Sequence, residues 1–282
     1  MNALTMTLAA TEKREEAKDK IAVLQRQEAT TYRRPLPTFG SDKHWRQSIV
    51  EWMYDIVDSA GMQRDVVAVA SYYLDATPVS TREEYQLCAM TALQLAMKLY
   101  CSSSMSWSSL VRLSRGTFNE DDICDMESRI LQSLKWRVHP PTANCFLREF
   151  LQLLPESVDT NSLYRLEQIS RFVTEFASCL NIFCQYQPSH LAFAGMCVAM
   201  QRMEVGMVTD IHECMEANTG INFDDIATLW AELQRSLAHN VSLHELQVSM
   251  ATLCSPVHKS TASPVAIKPV LQFSRSPRQV SC

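Results

Sequence analysis

The chain has 282 residues, 46% hydrophobic and 20% charged, with 26 basic residues against 31 acidic for a formal charge of −5. That is a globular balance, without the basic excess that a non-specific nucleic-acid binder carries. Six glycines leave almost no material for a P-loop or a dinucleotide-binding loop.

Residues 1–40 read as a charged helical lead-in and a Pro-rich connector. The stretch 12–27 is rich in Glu, Lys, Ala and Arg, good helix formers, and Arg33-Arg34-Pro35-Leu36-Pro37 cannot continue a helix. The N-terminus turns charged before any apolar run develops, so no secretory signal is expected. Trp45, Ile49, Trp52 and Ile56 then recur on one face of a first amphipathic helix. A second helix is expected over 63–75 with Val66, Val67, Ala70, Tyr73 and Leu74 inward. The third, over 83–99, is apolar nearly all round, which places it at the centre of a bundle. Thr117 and Glu120 have capping-box spacing, predicting a helix that runs on to Lys135. Pro140-Pro141 then stops the chain. Residues 176–201 carry no charge, but Gln185 to His190 break them, so they predict two buried helices and a turn rather than a membrane span. Beyond Leu253 the periodicity is lost in a Ser/Pro tail with little to bury, expected to be disordered.

An internal repeat appears at an offset of 103 residues. Asn119, Asp121, Asp122, Ile123, Ser133 and Leu134 fall on Asn222, Asp224, Asp225, Ile226, Ser236 and Leu237; Ala89, Ala96 and Met97 fall on Ala192, Ala199 and Met200. The pattern predicts an all-α protein of two helical domains, over 41–140 and 141–253, with a lead-in over 1–40 and a tail over 254–282.

No enzyme signature stands out. The ten cysteines lack C-x-x-C spacing and read as buried thiols in a reducing compartment. Seven histidines show no metal-ligand spacing, so neither a metal nor a cofactor is expected; His212 and His239 read as helix-surface residues. Two charges sit where the pattern wants none. Glu127 lies within the stripe of Ile123, Met126, Ile130, Leu131 and Leu134, and Lys98 lies near the end of the apolar third helix. Their counterparts in the second repeat are Trp230 and Gln201, so the charged pair belongs to the first domain alone. It reads either as a rim pair snorkelling to water or as a site specific to that domain. Arg46 and Asp75 read as an ion pair within the domain.

In order along the chain, HWRQSIVEWM, VASYYLDAT, YQLCAMTALQLAMKL and DMESRILQSLKWRVHPPT resemble the signature segments of the cyclin box. The resemblance covers about 200 residues and implies two tandem five-helix cyclin-fold domains. It places Lys98, Glu127 and Leu87 where the family contacts a cyclin-dependent protein kinase, and Arg46 and Asp75 where a pair stabilises the box. It implies a heterodimer with that kinase, no catalysis by this chain, and a place in cell-cycle control in the nucleus or cytoplasm. A substrate-docking patch would fall on Trp45, Ile49, Trp52, Asp55, Arg82 and Gln86, with Ser48 in place of an aliphatic residue. The chain departs from the family where Leu99-Tyr100-Cys101 and a serine run follow Lys98, and where Asp75-Ala76-Thr77 replaces D-R-F. A cyclin-fold adaptor or transcription-related protein that activates no kinase is the alternative; the acidic charge disfavours one on DNA. Ser255, Ser263 and Ser276 precede prolines and are candidate phosphosites, and Arg33 with Leu36 fits a minimal degradation signal.

Overall fold

The computed structural model describes residues 3–34, 43–155, 158–203 and 208–240. Ser255, Ser263, Ser276 and Leu36 lie outside them. Among the described residues the chain is all-helical: α1 (Ala3–Ala29), α2 (Lys43–Ser59), α3 (Asp65–Ala76), α4 (Arg82–Tyr100), α5 (Trp107–Leu113), α6 (Glu120–Ser133), α7 (Ala143–Leu153), α8 (Thr160–Cys179), a 3-10 turn (Asn181–Phe183), α9 (Pro188–Arg202), α10 (Val208–Thr219) and α11 (Phe223–Asn240). The buried apolar residues separate into two clusters, one built by α2–α6 and one by α7–α11. Each five-helix bundle wraps one nearly all-apolar helix, α4 in the first and α9 in the second. The offset of 103 residues carries the start of α6 onto the start of α11, so the sequence repeat is a repeat of architecture.

Helix ends follow local chemistry. Thr81 caps α4 by accepting from the Glu84 amide, and α6 opens with a reciprocal capping box between Asn119 and Asp122. The box thus sits two residues beyond the expected Thr117–Glu120 pair, because Thr117 spends its hydroxyl on the Ser114 carbonyl. At its far end α6 stops at Ser133, earlier than expected, in a Schellman turn. The Lys135 amide donates to the Gln132 carbonyl and the Trp136 amide to the Leu131 carbonyl, with both residues left-handed at φ 51 and 62. The short helix α5 has no periodic signal in the sequence and arises where Ser106 caps it and Leu110 enters the core.

The lead-in helix α1 packs on the second bundle, burying Ala17 and Ile21 in its core. Arg14 donates to the Leu154 carbonyl at 2.7 Å and Gln25 to the Thr219 carbonyl at 2.9 Å. Glu28, itself buried, accepts from the Ser189 amide and hydroxyl at 3.0 and 2.5 Å. It thereby supplies a carboxylate to the N-terminus of α9, whose own N-cap, Gln187, makes no side-chain cap bond.

Candidate functional site

Lys98 stands in the last turn of α4, where a cation complements the helix dipole, and Glu127 stands midway along α6. The two helices pack side by side, and the Lys98 ammonium donates to both Glu127 oxygens, at 2.8 and 2.9 Å. The side chains remain 40% and 17% exposed, so the pair lies at the rim of the first core, not within it. An ammonium has three donors and a carboxylate about four acceptor sites, so the bond between them leaves capacity on both. A solvated pair of this kind adds little to stability, roughly 0–1 kcal/mol. Leu87, about three turns upstream on α4, is buried with the first cluster. At the equivalent places of the second bundle Gln201 bonds Gln234, and Trp230 packs against the core with its indole N–H unpartnered.

Three large apolar side chains surface near the chain segments that carry the pair: Leu99 and Tyr100 just beyond Lys98, and Trp136, 72% exposed, just beyond α6. Tyr100 is not free to turn outward. Its hydroxyl donates to the Val138 carbonyl at 3.2 Å and meets the His139 Nδ1 at 2.9 Å, with the two rings edge-on. Burial pushes the Tyr100 hydroxyl's pKa up, aided by the thiol of Cys145 and the ring of Tyr32, so it stays a donor. Tyr73 donates to the same Val138 carbonyl at 2.5 Å, so the chain after α6 is pinned from two helices.

Arg46 and Asp75 form the expected pair, from α2 to α3. Nε and Nη2 donate to the two carboxylate oxygens at 2.9 and 2.8 Å, and both residues are 3% exposed. The remaining Nη1 donates to the carbonyls of Ser178 and Cys179, at 2.8 and 3.4 Å, at the end of α8. The pair is therefore more than intradomain: it ties the first bundle to the second. Burial works against the charged guanidinium, yet the charge and hydrogen bonds of Asp75 outweigh it and hold the arginine's pKa above its ordinary value.

Two neighbours at the start of α3 repeat the tie. Arg64 donates to Glu175 at 2.8 Å and lies over the Tyr54 ring at 4.5 Å, while Asp65 accepts from Asn144 and Arg171 at 2.7 and 2.9 Å. Sequence reading missed this junction. The adjacent opposite charges Arg64 and Asp65 were its one local sign, and nothing local identified their partners.

Of the residues expected to form a docking patch, Trp45 and Arg82 come together, the guanidinium 4.6 Å from the indole centroid, with the Tyr85 ring 6.4 Å from that of Trp45. Ile49 is buried in the core, Trp52 is partly buried against it, Gln86 is half-buried, and Asp55 is exposed. Burial and the charge of Asp58 raise the Asp55 pKa, against the pull of Arg64.

His212 departs from the expected surface position. It stacks on Phe223 at 4.7 Å, meets Phe193 edge-on and lies 3.2 Å from the Cys197 sulfur. Burial lowers the His212 pKa and raises that of the Cys197 thiol, so the two form a neutral packed pair rather than a thiolate–imidazolium nucleophile. The eight described cysteines are free thiols, and no group of three or more His, Cys, Asp or Glu among the described residues is placed to hold a metal. No helix among them is long and apolar enough to cross a membrane.

Two family models match the chain, the cyclin N-terminal domain over residues 14–139 and the cyclin C-terminal domain over residues 141–263. Over 114 residues the chain is 36% identical to a protein of Caenorhabditis briggsae named G1/S-specific cyclin-E, covering 39% of this chain and 22% of that one. The chain spans between 22% and 56% of the length of the curated relatives it matches. Its fold is similar to that of a viral cyclin from herpesvirus saimiri, with TM-score 0.60 and 17% identity over 75% of this chain and 96% of the other. A chain of the yeast RNA polymerase II CTD kinase CTDK-1 complex matches with TM-score 0.56 and 12% identity, over 90% of each.

Proposed function

The chain belongs to the cyclin family, and from that premise we propose that it binds and activates a cyclin-dependent Ser/Thr protein kinase, as its regulatory subunit in cell-cycle control. Cyclins are regulatory subunits rather than catalysts, so the chemistry is assigned to the partner. The observation that carries the reading is the Lys98–Glu127 pair: in a first-domain position with no charged equivalent in the second, it holds an ammonium and a carboxylate together with donor and acceptor capacity left over. Such a pair suits the backbone carbonyls and amides of a partner helix and its preceding loop, with Leu87 about three turns upstream on α4 as a further contact.

The mechanism is a population shift. The cyclin box, taken as 41–140, packs on the kinase's αC helix and holds it inward, completing the kinase's own Lys–Glu pair and aligning ATP for transfer. The junction of Arg46, Arg64 and Asp65 would fix the second cyclin-fold domain, 141–253, against the first. In the same reading residues 1–40 are a charged helix and Pro-rich connector, and 254–282 a tail with candidate phosphosites at Ser255, Ser263 and Ser276. The patch around Trp45, Arg82 and Gln86 would receive kinase substrates. A nuclear or cytoplasmic place, and a degradation role for Arg33 and Leu36, belong to the same reading. The relative named G1/S-specific cyclin-E and the fold neighbour from a CTD kinase complex support a kinase partner.

Lys98→Ala with Glu127→Ala tests this. The tagged chain is purified from its own cells, bound proteins are identified, and phosphotransfer to a Ser-Pro substrate is recorded. A kinase recovered active with the wild type and lost with the double variant, at unchanged melting temperature, is the expected result. Recovery of no kinase with a folded wild type would overturn the proposal in favour of a cyclin-fold adaptor, the reading that the Tyr100–Val138–His139 contact beside Lys98 would then favour.

A further inference from the structure

A narrow cleft opens between the two bundles, with a cavity volume of about 40 Å³, room for about three waters. Its walls include Tyr32 and Arg34 beyond the end of α1, Tyr72 of α3, and Pro140 and Pro141 between the bundles. The Tyr32 and Tyr72 rings meet edge-on with centroids 6.1 Å apart. Most polar groups of the cleft are occupied. Asn144 is held between Asp65 and Thr174, Ser178 donates to the Glu175 carbonyl, and the Glu175 carboxylate is bonded to Arg64.

Arg34 is the exception. Its Nε is buried with no hydrogen-bond partner, and its guanidinium has no carboxylate partner among the described residues. A buried N–H of a permanently charged group is costly to leave unsatisfied, so the position calls for an acceptor from outside the chain. A second arginine acts on Tyr72. Arg137 follows the left-handed turn at Trp136, is exposed, and immediately precedes Val138, whose carbonyl is held by Tyr73, the neighbour of Tyr72. Burial raises the Tyr72 pKa and Tyr32 adds to it, while Arg34 and Arg137 both pull it down, so both cations act on the same phenol.

We propose that Arg34, Arg137 and the Tyr72 hydroxyl, at the mouth of the interdomain cleft, bind a phosphomonoester dianion. Two guanidiniums match a group that carries roughly −1.5 to −2 charges at neutral pH, and their planar forks suit its oxygens. The cavity admits only an oxyanion head, leaving whatever bears it outside on the faces of Tyr32 and the prolines. Nothing in this inference depends on kinase binding, because Lys98 and Glu127 lie on other elements.

The shared chemistry has two sources, a phosphorylated side chain and free phosphate, and the experiment separates them. A labelled neutral phosphoserine peptide and its unphosphorylated twin are titrated with the full chain by fluorescence anisotropy, with inorganic phosphate and acetate as competitors. The phosphopeptide is expected to bind at least about ten-fold tighter than its twin, to lose that margin in Arg34→Gln/Arg137→Gln, and to keep it in Lys98→Ala/Glu127→Ala. Tyr72→Phe should weaken it while leaving the fold intact. If the peptides bind alike but inorganic phosphate raises the melting temperature of the wild type and not of the arginine double variant, the site stands with free phosphate as its ligand. Equal binding of both peptides without a phosphate effect, equal competition by acetate, or an unchanged margin in the double variant would overturn it.

Discussion

Replacing Asp75 with alanine would leave the Arg46 guanidinium buried against α8 with two carbonyl oxygens and no counter-charge. Breaking a buried pair from one side costs about 3–5 kcal/mol, since the orphaned charge loses both its Coulomb partner and two hydrogen bonds. At roughly 2–4 °C per kcal/mol for a body of this size, the melting temperature should fall by about 6–20 °C. The informative companion is Arg46→Met with Asp75→Leu, which removes both charges at similar volume. It still strips the Ser178 and Cys179 carbonyls of their donor, at about 1–3 kcal/mol, yet should be less damaging than Asp75→Ala alone. Thermal unfolding of the three variants by circular dichroism, with urea titrations to confirm two-state behaviour, reads this directly. A double variant at least as unstable as Asp75→Ala would refute the argument that the orphaned charge is the cost.

The Lys98→Ala/Glu127→Ala variant should differ from wild type by less than about 1 kcal/mol in urea unfolding, because the pair is solvated; a larger loss would show it to be structural. Burial raises the Glu28 pKa above the ordinary 4.5, with the Ser189 bonds opposing, so the folded chain keeps that proton longer than the unfolded chain does. Stability should therefore fall as pH rises from about 4.5 toward the raised value, and Glu28→Gln should flatten that part of the profile. An unchanged slope in unfolding measured across that window would remove Glu28 as its source. Gly195 faces Thr174, whose methyl would stand 3.1 Å from an added Cβ. The Thr174 hydroxyl is bonded to Asn144 and the Arg171 carbonyl and cannot easily give way, so Gly195→Ala should cost about 1 kcal/mol or more despite its helix propensity. A stabilised variant in differential scanning calorimetry would contradict this. Leu93→Ala, at the centre of α4 with no exposed surface, should cost about 2–5 kcal/mol in the same assay.

Some of this was written locally in the chain. The inward residues of α2 and α3, the all-round apolar character of α4 and α9, and the offset that superposes α6 on α11 are periodic signals, and periodicity maps onto burial wherever a helix meets a core. The hydrophobic pattern itself singled out Lys98 and Glu127 as charges out of place, and Arg46 with Asp75 as an ion pair, although not that Arg46 also reaches the second bundle. Helix ends were less legible. Thr117 and Asn119 compete for the role of cap within three residues, and the choice depends on the Ser114 carbonyl, which only the folded turn brings to Thr117. The short helix α5 has too few residues to show a period.

What tertiary structure alone decided is everything that joins distant segments. No spacing says that Glu28 caps α9, 161 residues away, that Arg46 reaches past Asp75 to the end of α8, or that the Arg34 Nε is buried in a cleft with no hydrogen-bond partner. Sequence determines which faces must be hidden, because burial of an apolar stripe is a property of one helix. Which polar groups then meet is settled by how the helices stack, and a buried donor takes whatever acceptor that stacking delivers.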